Sequence, residues 1–213
     1  MRQRKVKNEE EKIESFCNYV IKDAKVHKGN WKEVFQNNNP IYLEVGCGKG
    51  QFITTLAKCN PHCNYIAVEG AGSVVLRALE KAAEAELKNI KFITNYVNDM
   101  TDYFERELDG IYLNFSDPWP KDRHAKRRLT HTRYIKSYKE VLKRGAGIEF
   151  KTDNDALFTF STEEFLKNDM ELIEYTDDLH MTDFTARLVT TEYENKFSKI
   201  GKNIHYLKAM SPK

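Results

Sequence analysis

Three stretches of the chain hold residue types that can do chemistry. In Leu43-Glu44-Val45-Gly46-Cys47-Gly48-Lys49-Gly50-Gln51-Phe52 an apolar run passes through three alternate glycines into a helical pattern. Glycines at such a turn reach positive φ and let a ligand lie against the backbone. Nineteen residues beyond Gly50, Glu69 ends a second apolar run, where a carboxylate can hydrogen-bond both hydroxyls of a ribose. The spacing G-x-G-x-G is not the G-x-G-x-x-G of dinucleotide sites, and Lys49 is followed by Gly50, so no Walker-type G-K-[ST] exists. The second stretch, Ile111 to Lys121 (IYLNFSDPWPK), sets Asp117, two prolines and Trp119 at the end of an apolar run. The prolines stiffen that loop and the indole offers a flat apolar face. The third follows at once: residues 121 to 144 (KDRHAKRRLTHTRYIKSYKEVLKR) contain ten Lys and Arg against Asp122 and Glu140.

The elements that must position these groups alternate. Apolar runs at 41–45, 64–69, 91–95, 111–115, 147–151, 171–175 and 203–207 read as strands. Helical patterns occupy 50–58, 73–87, 132–143, 156–166 and 192–199. This order implies βαβ units, a mostly parallel sheet and helices on both faces, an α/β fold. Ligands of such sheets bind outside the carboxyl ends of the strands, where the glycine loop, Glu69 and Asp117 all fall. Residues 1–30 read as a basic arm with a short helix, anchored at Trp31, Val34 and Phe35, and 31–213 as one domain. Asp177 to Val189 has no clear period and reads as a mobile loop.

With 213 residues, 40% hydrophobic and 31% charged, the chain is a globular protein rather than a disordered one. No apolar stretch is long enough to span a membrane, and the N-terminus lacks a signal-peptide core. Four cysteines in a chain of this length point to a reducing cytoplasm rather than a disulfide framework. The net charge of +2 argues against a polyanionic partner only until it is divided. Residues 121–144 carry +8 and the first seven residues +4, which leaves −10 for the rest. The basic segment also places Tyr134, Ile135, Tyr138, Val141 and Leu142 at helical spacing, so it is an ordered ridge suited to a phosphate backbone.

An acid two residues before G-x-G-x-G resembles motif I of Rossmann-like S-adenosylmethionine-dependent methyltransferases. A more specific likeness comes from NFSDPWPKDRHAKRRLT, then FKTDN at Phe150 to Asn154 and TEYENKF at Thr191 to Phe197. With these motifs in this order, from about Trp31 to Tyr206, the chain resembles the bacterial tRNA (guanine-N7-)-methyltransferases. The resemblance implies a Rossmann-like seven-stranded methyltransferase sheet with an antiparallel edge strand, S-adenosylmethionine as methyl donor, and methylation of N7 of a guanosine in the tRNA variable loop. It implies that Glu44, Gly46, Gly48, Gly50, Glu69 and Asp117 bind the cofactor, with Asp117 also catalytic. Lys121, Asp153 and the stretch from Thr191 to Glu194 would meet the substrate, and Arg123, His124, Lys126, Arg127 and Arg128 the RNA. Where the family has an Asp or Asn toward the adenine this chain has Tyr96, flanked by Asn95 and Asn98.

Guanine N7 carries a lone pair and no proton, so the reaction needs alignment and electrostatics rather than a general base. Asp117 would stabilise the cation formed on the purine, with Asp153 or Glu194 assisting. No metal is expected, since Cys59, His62 and Cys63 have no second ligand pair. Cys47 reads as a small apolar residue, His124 and His131 as neutral among cations, and Phe158, Phe160 and Phe165 as core. Two other readings remain: an amino-group methyltransferase for nucleic acid or protein, and an RNA-binding module with a decayed cofactor cleft. The resemblance implies tRNA as the partner, no membrane, and a monomer or homodimer.

Overall fold

The computed structural model describes residues 7–211. Arg2, Arg4 and Lys5 of the expected arm lie outside these residues, and Lys7 is exposed. Seven strands form one sheet: β1 (Ile41–Val45), β2 (Asn64–Val68), β3 (Ile90–Ile93), β4 (Leu108–Asn114), β5 (Leu142–Thr152), β6 (Glu171–Thr176) and β7 (His205–Met210). Their order is β3-β2-β1-β4-β5-β7-β6. The pairs among β1 to β5 are parallel, and β7 runs antiparallel to both β5 and β6. The antiparallel strand therefore lies one place in from the edge, with β6 outside it.

The sheet is covered on both faces, which is why its central strands read as continuous apolar runs. In β2, all of whose residues are buried, Tyr65 and Ala67 enter one core while Ile66 and Val68 enter the other. This follows from the two-residue side-chain period of a strand. Helices α3 (Gln51–Cys59) and α4 (Gly72–Glu84) pack on the first face through Ile53, Ala57, Val75 and Ala78. Helices α5 (Thr132–Val141) and α6 (Asp155–Lys167) pack on the second through Ile135, Tyr138, Leu157 and Phe165. Helix α2 (Trp31–Phe35) buries Trp31, whose ring stacks on Phe104 at 5.3 Å. The residues before it belong to the same body: Ile13 of α1 (Glu9–Ser15), Phe16 and Tyr19 pack on the first core, and Ile21 N donates to Phe92 O at 2.9 Å.

Between β6 and β7 the chain forms two short 3-10 turns, Leu179–Met181 and Thr185–Leu188, and then α7 (Glu192–Ser198). Leu179 is fully buried in a third small core with Ile204 and Tyr206. Among the described residues no helix is long and apolar enough to cross a membrane. The chain order turns back at β1, which has β2 on one side and β4 on the other. The loops after β1 and β4 thus open into one crevice at the switch point.

Candidate active site

The floor of the crevice is the glycine turn. Gly46 N and Cys47 N donate to Val68 O at 2.8 and 3.0 Å, which ties the turn to β2. Gly46, Gly48 and Gly50 all have positive φ, at 79°, 57° and 77°. A side chain at Gly46 or Gly48 would meet nothing within 4 Å, so the backbone there is open to a ligand. Gly50 differs: a Cβ there would lie 2.5 Å from Ala78 Cβ, so this glycine lets α3 approach α4 and does not line the cleft. Cys47 is buried, and burial pushes its thiol up, so it stays neutral.

Glu44 ends up beneath this turn, 2% exposed. Asn114 Nδ2 donates to its Oε1 at 2.8 Å, while its Oε2 has no partner among the described residues. Burial pushes its pKa up to about 8, against the Asn114 hydrogen bond, which acts to lower it. An orphaned buried carboxylate oxygen on a ligand cleft is the complement of a cationic ligand group. Glu69, just past β2, accepts from Gly48 N at 3.1 Å and from Ala71 N at 2.9 Å. Those bonds fix the carboxylate and leave lone pairs for hydroxyl donors. Beyond it Tyr96 lies flat on Gly70, where a Cβ would come within 2.4 Å of the ring. Asn95, Tyr96 and Asn98 border the cleft at this end.

The opposite wall is the loop after β4. Phe115 and Trp119 hold left-handed φ values of 49° and 41°, uncommon for bulky residues and a form of strain that functional sites retain. Arg128 stabilises this loop: its Nε donates to Pro118 O at 3.0 Å and an Nη to Trp119 O at 3.1 Å, and its guanidinium lies 4.3 Å over the Phe160 ring. At 9% exposure Arg128 is a strut of the loop rather than a free cation on the ridge, unlike the RNA contact that the resemblance implies. Phe160 accordingly lies half-buried beneath that arginine, whereas Phe158 and Phe165 are in the core. Arg127 turns outward, 4.7 Å over the Trp119 ring and on the cleft wall, and His124 meets the same indole edge-on at 5.7 Å. Asp117 is exposed and lines the cleft; Lys121, Arg123 and Lys126 are exposed on the ridge that follows.

The cleft has a volume of about 1240 Å³. Its remaining border is the strap from Thr190 into α7. Thr191 Oγ1 accepts from Glu194 N at 2.9 Å, and the Glu194 carboxylate returns to Thr191 N, a capping box that starts α7. Thr191 borders the cleft, whereas Glu194 is 0% exposed and points inward, so it does not face a substrate as expected. Its partner is Lys151 of β5, which sequence reasoning missed. Lys151 Nζ donates to Ala186 O at 2.6 Å, to Val189 O at 3.0 Å and to Glu194 Oε2 at 3.2 Å. Burial pulls the Lys151 pKa below the usual lysine value, with Glu194 acting to raise it. The stretch that read as a mobile loop is thus pinned from beneath by one lysine. A lysine inside the apolar strand GIEFKT was the available signal. On its other side the strap is held by Gln51 Nε2, which donates to Thr190 O at 3.3 Å, and by a Lys81–Glu192 ion pair. Asp153 and Lys121 lie outside the cleft wall, and Asp153 is paired with Lys202 at 2.6 Å. Among the described residues no group of three or more His, Cys, Asp or Glu is arranged to hold a metal ion.

Residues 38–207 match a family model described as "Putative methyltransferase". The chain is 48% identical over 196 residues to a tRNA (guanine-N(7)-)-methyltransferase of Lachnoclostridium phytofermentans, covering 92% of each chain. It is 46% identical over 200 residues to the protein of the same name from Bacillus cytotoxicus, covering 93% of this chain and 92% of that one. Among solved structures, an antibiotic-related methyltransferase superposes with a TM-score of 0.64 at 15% identity, covering 92% of this chain and 98% of that one. A 16S rRNA (adenine(1408)-N(1))-methyltransferase from Catenulisporales acidiphilia, solved with its cosubstrate SAM, superposes with a TM-score of 0.59 at 14% identity, covering 87% of this chain and 91% of that one. These two likenesses show the Rossmann-like methyltransferase fold. The matched residues 38–207 include every residue that lines the cleft, and the chain belongs to the tRNA (guanine-N(7)-)-methyltransferase family.

Proposed function

We propose that this chain transfers the methyl group of S-adenosylmethionine to N7 of a guanosine in the variable loop of tRNA, in the cytoplasm. The observation that carries the reading is a single cleft with the glycine turn and its two acids on one wall and Asp117, continuous with the cationic ridge, on the other. When bound, the cofactor supplies an electrophilic methyl on a sulfonium. Glu44 Oε2 would take its ammonium, Glu69 its ribose hydroxyls, and the open backbone at Gly46 and Gly48 its chain. Asp117 stabilises positive charge as it develops on the purine. Arg123, Lys126 and Arg127 hold phosphates, with Lys121 at the rim. Thr191 and Glu194 serve the substrate indirectly, by fixing α7. Treating tRNA with borohydride and aniline after incubation tests the reading, since 7-methylguanosine is cleaved selectively. Scission in the variable loop supports it, and scission elsewhere or none contradicts it.

Two further results are expected. With Glu44 titrating near 8 in the free protein, a bound ammonium restores its charge. Binding of S-adenosylhomocysteine at pH 7 should then release the larger part of one proton, and the release should shrink as the pH rises through the Glu44 pKa. Calorimetry in two buffers of different ionisation enthalpy measures this; Glu44→Gln should abolish the release, and proton uptake by the wild type would contradict the assignment. For the ridge, replacing Arg123, Lys126 and Arg127 together by Gln should reduce the slope of log Kd for tRNA against log salt by about two to three. An unchanged slope in filter binding removes the phosphate assignment.

A further inference from the structure

Of the four side chains from Thr191 to Glu194, three are engaged by the protein itself. Thr191 and Glu194 close the capping box, Glu194 also takes Lys151, and Glu192 pairs with Lys81. Tyr193 alone is uncommitted. It is 60% exposed on the cleft wall, and its hydroxyl makes no hydrogen bond among the described residues. Its ring is nonetheless held in place. Phe115 stacks with it at 6.3 Å and 19°, and Phe197, one helical turn on, at 6.2 Å and 27°. Phe115 is itself fixed by its left-handed backbone, and both phenylalanines pack on the small core of Leu179, Ile204 and Tyr206. An exposed aromatic ring with a rigid backing, lining the same cleft as Asp117, has the form of a stacking platform for a nucleobase.

We propose that the target guanine stacks on Tyr193 and that this ring stabilises the positive charge which methylation puts on the purine. The proposal rests on the N7-methylation reading above. In the step, the N7 lone pair bonds to the methyl carbon and the carbon–sulfur bond breaks with its electron pair going to sulfur. No proton moves; the purine becomes a cation and the sulfur neutral. A neutral guanine gains only stacking from an aromatic face, whereas the forming cation also gains attraction to the ring quadrupole. The interaction strengthens toward the transition state, which is the condition for raising turnover rather than affinity alone.

The test uses the full chain and unmodified tRNA. Tyr193→Phe should keep kcat within about twofold, whereas Tyr193→Leu should lower it about three- to thirtyfold. Affinity for S-adenosylhomocysteine by calorimetry should be unchanged in both. Tyr193 is then replaced by phenylalanines carrying one, three and five fluorines, which weaken and finally reverse the quadrupole at nearly constant shape. Stepwise loss of kcat with little change in KM for tRNA supports the proposal, since a purely structural role would leave that series flat. Normal wild-type activity with a flat series overturns the proposal alone. A wild-type protein that forms no 7-methylguanosine in tRNA overturns the underlying reading, and the proposal with it.

Discussion

Asp117→Ala is expected to lower turnover by about 10²–10³-fold, the range typical for deleting one preorganised electrostatic group at a reacting centre. Guanine N7 has no proton to remove, so the loss is not that of a base. The carboxylate stands on a loop with two left-handed residues, Phe115 and Trp119, and Arg128 braces that loop at Pro118 O and Trp119 O. Removing a negative charge beside the cationic ridge should leave tRNA affinity unchanged or slightly tighter, because Lys121, Arg123, Lys126 and Arg127 remain. Asp117→Asn separates charge from shape: most of the loss should persist with the isosteric amide. Single-turnover rates and tRNA binding measured together check this, and unchanged turnover in Asp117→Ala would remove the catalytic assignment.

Lys151→Met is expected to cost about 3–5 kcal/mol of folding stability, the usual result of removing one partner from a buried ion pair. Lys151 is 1% exposed and serves three acceptors at once. Without it the buried Glu194 carboxylate keeps, among the described residues, only Thr191 N at 3.4 Å and His180 Nε2 at 3.3 Å, and the carbonyls of Ala186 and Val189 lose their lysine donor. Adding Glu194→Gln removes the stranded charge, so the double variant should recover part of the loss. Urea denaturation of the four proteins measures both terms. A single-variant loss below about 1 kcal/mol would mean that the strap from 186 to 194 is not held from beneath. Because that strap carries Thr191 and Tyr193, Lys151→Met protein that stays folded should also show a lowered kcat.

Where function depends on contiguous residues, the sequence was informative. Strand, glycine turn and helix follow one another in 41–59, and Glu69 and Asp117 sit at strand ends that apolar runs announce. Contacts between distant segments were not legible. Arg127 and Arg128 are neighbours in a uniform basic run, yet one faces the cleft and the other supports the loop, and only the local turn decides which. Lys151 and Glu194 are 43 residues apart, and their pairing replaces the periodic pattern that 177–189 lacks. The glycines of one motif also divide: Gly46 and Gly48 open the cleft, while Gly50 answers to Ala78 of another helix. The place of β7 inside the sheet depends on strand pairing, which no single strand encodes.

The cleft is proposed to deliver methyl to guanine N7. The most direct test is methyl transfer from labelled cofactor to two tRNA transcripts, one with guanosine and one with 7-deazaguanosine throughout. Label should enter the first and not the second, with both transcripts bound equally well. Equal labelling of the two would contradict the proposal, because the methyl would then be going to an atom other than N7.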